Sequence, residues 1–157
     1  MNLPLHPLVV HAAVVFLTVV PLLVLVSLFW RGLRDRLDWL IPVAALVGGI
    51  SGVVAKETGE DLEHSLPKTA ITPLIHDHTE LGDLVGPVAI LFALVVIAWW
   101  LTNSVVATTW VEAKLPWLRK GALPLVATVL VGLASVGTLV LIILAGHSGA
   151  TAVWTSQ

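Results

Sequence analysis

The sequence predicts an all-α protein, a four-helix transmembrane bundle in one integral-membrane domain of residues 1–157. Two observations carry this prediction. The chain is 57% apolar and only 11% charged, against roughly 45–50% and about 25% in soluble proteins. Four apolar stretches also approach the roughly 20 residues that cross a bilayer as a helix. They are residues 7–30, 39–55, 82–101 and 122–145.

The first stretch opens at Pro7, where a missing N–H costs little, and Pro42 and Pro124 lie near two other starts. Pro21 and Pro87 are interior, so each frees the carbonyl four residues earlier, Leu17 and Asp83. The second stretch is the shortest. Its Gly48, Gly49 and Gly52 suit tight helix contact, and the Glu57, Gly59, Glu60, Asp61 cluster beyond it reads as solvated loop or as a feature that draws a cation. The third stretch lengthens if Thr72-Pro73 opens its helix. The fourth ends just before GHSGATAVW, residues 146–154. No segment resembles another as a repeat. The connector NSVVATTWVEAKLPWLRKG, residues 103–121, reads as an anchored, interfacial stretch.

Orientation follows from the basic residues. Arg31, Arg34 and Arg36 lie in the first loop and Lys114, Arg119 and Lys120 in the third, whereas the middle loop has only Lys56 and Lys68. By the positive-inside rule, both termini and the middle loop face outward. Six of the seven tryptophans, all but Trp154, then fall at the inner interface. The expected location is the bacterial cytoplasmic membrane, with a lipid bilayer as solvent. No Lys or Arg precedes the first apolar run, so no cleavable signal peptide is expected.

Composition also excludes chemistry. The chain has no cysteine, hence no disulfide, thiolate-bound zinc, iron–sulfur cluster or covalently attached c-type haem. It has no tyrosine for a phenolic role, and a net charge of −2 without a basic patch offers nothing to nucleic acid.

The six histidines all fall on the outward side of this topology. His11 lies about one turn inside the first helix, His78 one to two turns into the third, and His147 just beyond the fourth. Three helices therefore bring an imidazole to a similar depth, as in bundle-core metal and cofactor sites. Ionisable groups at such a level are functional candidates. His78, Gly82 and Gly86 share one helix face at four-residue spacing. The two glycines leave a slot for a flat ring, or alternatively let helices pack closely. His76, Glu80 and Asp83 form a neighbouring polar stripe, read first as solvated helix. His6, before Pro7, reads as the end of the N-terminal tail, with a ligand role as the lesser possibility. His64 reads as solvent-exposed.

HPLVVH (6–11), KETGEDL (56–62), HTELGD (78–83) and GHSGATAVW (146–154) together resemble the recurrent pieces of bacterial four-helix membrane proteins grouped as domain of unknown function 2231. The resemblance covers nearly the whole chain. Members are sometimes fused to Rieske iron–sulfur or cytochrome c domains, which implies redox work near the outer surface. No such domain is recognised in these residues, so an electron partner is expected to be another protein on the outer side.

Three functions fit these residues. The first is bis-histidine ligation of haem b by His11 and His78, with His147 as the alternative ligand and Gly82 and Gly86 as the slot, in electron transfer. Each ligand needs its second ring nitrogen satisfied, and the Asp83 carbonyl is one candidate acceptor. Haem propionates want cations, for which only Lys56 and Lys68 lie outward. The second is a zinc or copper ion on His11, His78 and His147, with His6, His76 and Glu80 as further candidate ligands. The third is a structural or assembly subunit, a homo-oligomer included. No span carries a mid-membrane charge, which argues against a transporter, and no residue set for substrate turnover is recognised.

Overall fold

A computed structural model describes residues 5–67, 69 and 71–154. Among these, six α-helices and one 3-10 turn occur, and no strand. They are α1 (Leu5–Phe29), α2 (Arg31–Leu37), α3 (Leu40–Ser65), α4 (Pro73–Asn103), α5 (Thr108–Lys114), the turn Pro116–Arg119, and α6 (Leu123–Trp154). Four of them, α1, α3, α4 and α6, are long and apolar enough to cross a membrane, as the sequence predicts. The chain is a multi-pass membrane protein.

Each long helix exceeds its apolar run. At 1.5 Å per residue, the 31 residues of α4 extend about 46 Å, beyond the roughly 30 Å of hydrocarbon. Helix α3 continues through KETGEDLEHS, where the sequence predicts solvated loop. That segment is rich in helix formers, and Lys56 bonds Glu60 one turn on. Helix α4 opens where Thr72-Pro73 predicts: the Thr72 hydroxyl accepts from Ile75 N at 3.3 Å, and Pro73 takes the first position. Helix α6 runs on through GHSGATAVW. Both Pro21 and Pro87 lie within continuous helix.

The four long helices form a square. Helix α3 packs on α1 and α4, and α6 packs on α4 and α1, so α1 lies diagonal to α4 and α3 to α6. The core stacks Leu17, Val20 and Val24 of α1 on Ala45 of α3, Phe92 and Val96 of α4, and Val131 of α6. Gly52 is the closest approach: a Cβ there would lie 2.6 Å from that of Ala89. The outward faces remain apolar, as in Leu125, Leu133 and Ile143, because lipid surrounds them.

At the tryptophan end, Asp38 is buried and accepts from the Trp100 indole, from Ser104 Oγ at 2.6 Å and from Val106 N at 3.3 Å. Arg119 caps the end of α4 through the Ser104 carbonyl at 2.9 Å. These contacts fold the α5 connector back onto the bundle and leave the opposite end free for a site.

Candidate functional site

Where α1 and α4 begin and α3 and α6 end, a cavity of about 690 Å³ opens between the helices. Its walls are largely apolar, with two imidazoles, His6 and His78, facing it from the diagonal helices α1 and α4.

Each ring is held by the neighbouring helix in the same way. His6 donates from Nδ1 to the Ala55 carbonyl at 3.0 Å, with Thr58 Oγ1 at 3.4 Å. A carbonyl only accepts, so Nδ1 carries a proton, and in the neutral ring Nε2 is the atom with the lone pair. His78 Nδ1 lies 3.1 Å from Ser148 Oγ. The Ser148 hydroxyl already donates to the Ala145 carbonyl at 2.9 Å, so Ser148 accepts from His78 and Nε2 again holds the lone pair. The hydrogen bonds found for the two rings among the described residues run through Nδ1, and the Ala145 carbonyl also lies within hydrogen-bond reach of the His78 ring. A neutral imidazole fixed through Nδ1–H with a bare Nε2 is the form that ligates a metal centre.

Glycine lets both rings approach. A Cβ on Gly59 would lie 3.1 Å from His6 Cε1, and one on Gly149 would lie 2.9 Å from His78 Cε1. The cradle is therefore a repeated pattern, Ala55-x-x-Thr58-Gly59 on α3 and Ala145-x-x-Ser148-Gly149 on α6. In both copies the hydroxyl reaches the alanine carbonyl, Ser148 at 2.9 Å and Thr58 at 3.1 Å, although Thr58 donates at the shorter 2.8 Å to the Val54 carbonyl.

Much of the lining repeats. A shift of 72 residues carries His6, Pro7, Val10 and Ala13 of α1 onto His78, Thr79, Gly82 and Val85 of α4. A shift of 90 carries Ala55, Lys56, Gly59, Glu60, Leu62 and Glu63 of α3 onto Ala145, Gly146, Gly149, Ala150, Ala152 and Val153 of α6. Two α-hairpins thus build the cavity around an approximate two-fold axis along the bundle. The sequence itself holds no repeat, and the correspondence is one of position in the fold. Only Ala and Gly of each cradle are identical, so the pattern emerges in space rather than in sequence.

The other predicted residues divide. Gly82 lines the cavity, and a Cβ there would meet nothing within 4 Å. Gly86 is buried beneath the stem of Lys56, whose Cδ would lie 3.1 Å from an added Cβ. His11 is exposed and bonds the Pro7 carbonyl of its own helix. His147 is exposed, and neither of these rings lines the cavity. His76 pairs with Glu80 at 3.3 Å on the exposed side of α4. His64 is exposed in the last turn of α3. The geometry explains the division: α1 starts early enough to hold His6 in its first turn, and five residues rotate His11 to another face. Asp83 lines the cavity, but His78 takes Ser148 rather than the Asp83 carbonyl as its acceptor. Lys56 lines it too, whereas Lys68 lies outside the described residues. No group of three or more His, Asp or Glu side chains placed to hold a metal ion occurs among the described residues.

No family model matches the chain, and neither a curated protein nor a solved structure is similar to it.

Proposed function

We propose that this chain is a membrane cytochrome of the b type, binding haem non-covalently between His6 and His78 and passing electrons near the outer face of a bacterial cytoplasmic membrane. One observation carries the reading: two imidazoles on diagonal helices, each fixed through Nδ1, face one apolar cavity. Bundle cores are where facing helices build such sites, and about 690 Å³ lies within the roughly 300–1,000 Å³ of small-molecule and cofactor sites. The two-fold character of the lining suits a flat ring ligated equivalently on both faces. Haem would supply one-electron exchange at iron, while the apolar walls exclude water and tune its potential. The charge asymmetry of the loops supports a topology with the cavity end and both termini outside. The resemblance to a family with redox fusions agrees, and the electron partner is a protein on that side.

The test is a visible spectrum of the purified chain in detergent, oxidised and dithionite-reduced, with elemental analysis. A Soret band with sharp reduced bands is expected, lost or grossly altered in His6→Ala and in His78→Ala and intact in His11→Ala, His64→Ala and His147→Ala. Stoichiometric zinc or copper without that band would replace haem with an ion site. Neither would leave a structural subunit.

A further inference from the structure

The end of the bundle away from the cavity carries the opposite charge. Helices α2 and α5 and the turn Pro116–Arg119 join the spans there, and six basic residues lie on or beside them. The fold itself engages two of the six. Arg34 lies 3.4 Å from Asp35, and Arg119 donates to the Ser104 carbonyl. Arg31, Arg36, Lys114 and Lys120 are exposed, and none of them forms an ion pair among the described residues. Of the nearby carboxylates, Asp35 faces Arg34 and Asp38 is buried under three donors, which leaves Glu112 against four cations.

A second observation says what these cations meet. Trp30, Trp39, Trp110 and Trp117 stand among them and are each 56–60% exposed. Such exposed indoles are stable at the headgroup level of a bilayer, with the ring in hydrocarbon and the N–H wet. The unpaired cations therefore stand beside lipid phosphates. At the cavity end Glu57, Asp61 and Asp77 are exposed instead.

We propose that the connector end is a binding surface for anionic phospholipid. Arg31, Arg36, Lys114 and Lys120 gather acidic headgroups in the leaflet that the tryptophans mark, and the acidic cavity end turns them away. Zwitterionic lipids offer the same phosphate without net charge, so the attraction discriminates between the two kinds. This holds whatever ligand the cavity takes.

The test uses the seven native tryptophans, all but Trp154 at this end. The full chain is reconstituted in vesicles of equal phosphatidylcholine and phosphatidylglycerol, with bromine near the headgroup on the chains of one lipid or the other. Brominated phosphatidylglycerol is expected to quench the emission more, by a local excess of about fivefold, the effect of one base beside an anionic surface. The excess should fall toward parity in molar salt, where the screening length shrinks to about 3 Å. It should vanish in the combined variant Arg31→Gln, Arg36→Gln, Lys114→Gln, Lys120→Gln and persist in Arg31→Lys, Arg36→Lys, with helical circular dichroism unchanged in both. If the Gln variant does not fold, the salt titration of the wild type decides alone. Equal quenching by the two lipids, or an excess that salt or the folded Gln variant leaves intact, overturns the proposal. Loss of the excess to inorganic phosphate beyond that to sodium chloride of equal ionic strength assigns the bases to a soluble anion and overturns it as well.

Discussion

His78 Nδ1 hydrogen-bonds to Ser148 Oγ across 3.1 Å, and the Ser148 hydroxyl in turn donates a hydrogen bond to the Ala145 carbonyl. This two-step relay orients the ring and fixes its tautomer from a different helix. In Ser148→Ala, the Nδ1–H loses its acceptor and the ring its restraint. Removing such outer partners typically costs about 10–100-fold in ligand affinity. We expect that loss in a haem titration, with substantial recovery in Ser148→Thr, which restores the hydroxyl. Wild-type affinity in Ser148→Ala would show that the tautomer is set elsewhere.

The two glycine cradles differ in tightness. A methyl on Gly149 would press to 2.9 Å from His78 Cε1, while one on Gly59 would stop 3.1 Å from His6 Cε1. Gly149→Ala must displace the imidazole or α6, and Gly59→Ala asks for a few tenths of an ångström. The reduced visible spectrum should therefore shift or broaden more in Gly149→Ala than in Gly59→Ala. The reverse order would mean that α6 gives way more easily than α3.

How far these features were legible follows from what an apolar run reports. It marks the part of a helix that meets lipid, so four spans and the all-α class could be read directly. Thr72-Pro73 marked the start of α4 because capping is local chemistry. KETGEDLEHS and GHSGATAVW looked like exits from helix because they are polar or glycine-rich, yet both are helical beyond the apolar zone. His78 and Gly82 were legible from their shared face. His6 was not, since only the third dimension sets it against Ala55. Likewise, nothing local in the sequence marks Asp38 as the buried acceptor of the far end.

Asp38 supports a prediction about stability alone. Asp38→Ala leaves the Trp100 indole, the Ser104 hydroxyl and the Val106 amide without their common acceptor. Leaving buried donors unmet costs about 1–3 kcal/mol each, offset where water reaches them. The variant should lose about 2–4 kcal/mol in reversible denaturation, with altered Trp fluorescence. Because the cavity lies at the other end of the bundle, its haem spectrum should be unchanged when folded. A changed spectrum at unchanged stability would reverse the assignment of the two ends to anchoring and ligand binding.

Gly82 and Gly86 lie one turn apart on α4 and face different surroundings. At Gly82 an added side chain enters open cavity, with nothing within 4 Å of its Cβ. At Gly86 it meets the Lys56 stem at 3.1 Å and the α3 backbone at Val53 Cα, 3.6 Å away. Gly82→Leu should therefore fold with near-wild-type stability while filling the space beside His78. Its haem affinity should drop by at least tenfold, about 1.4 kcal/mol. Gly86→Leu cannot be accommodated without parting α3 from α4, an overpacking cost of about 1–3 kcal/mol, and should lower the unfolding midpoint first. Paired unfolding and titration curves separate the two effects. Undiminished haem binding in a folded Gly82→Leu protein would place the ligand outside this cavity, whatever the two histidines do.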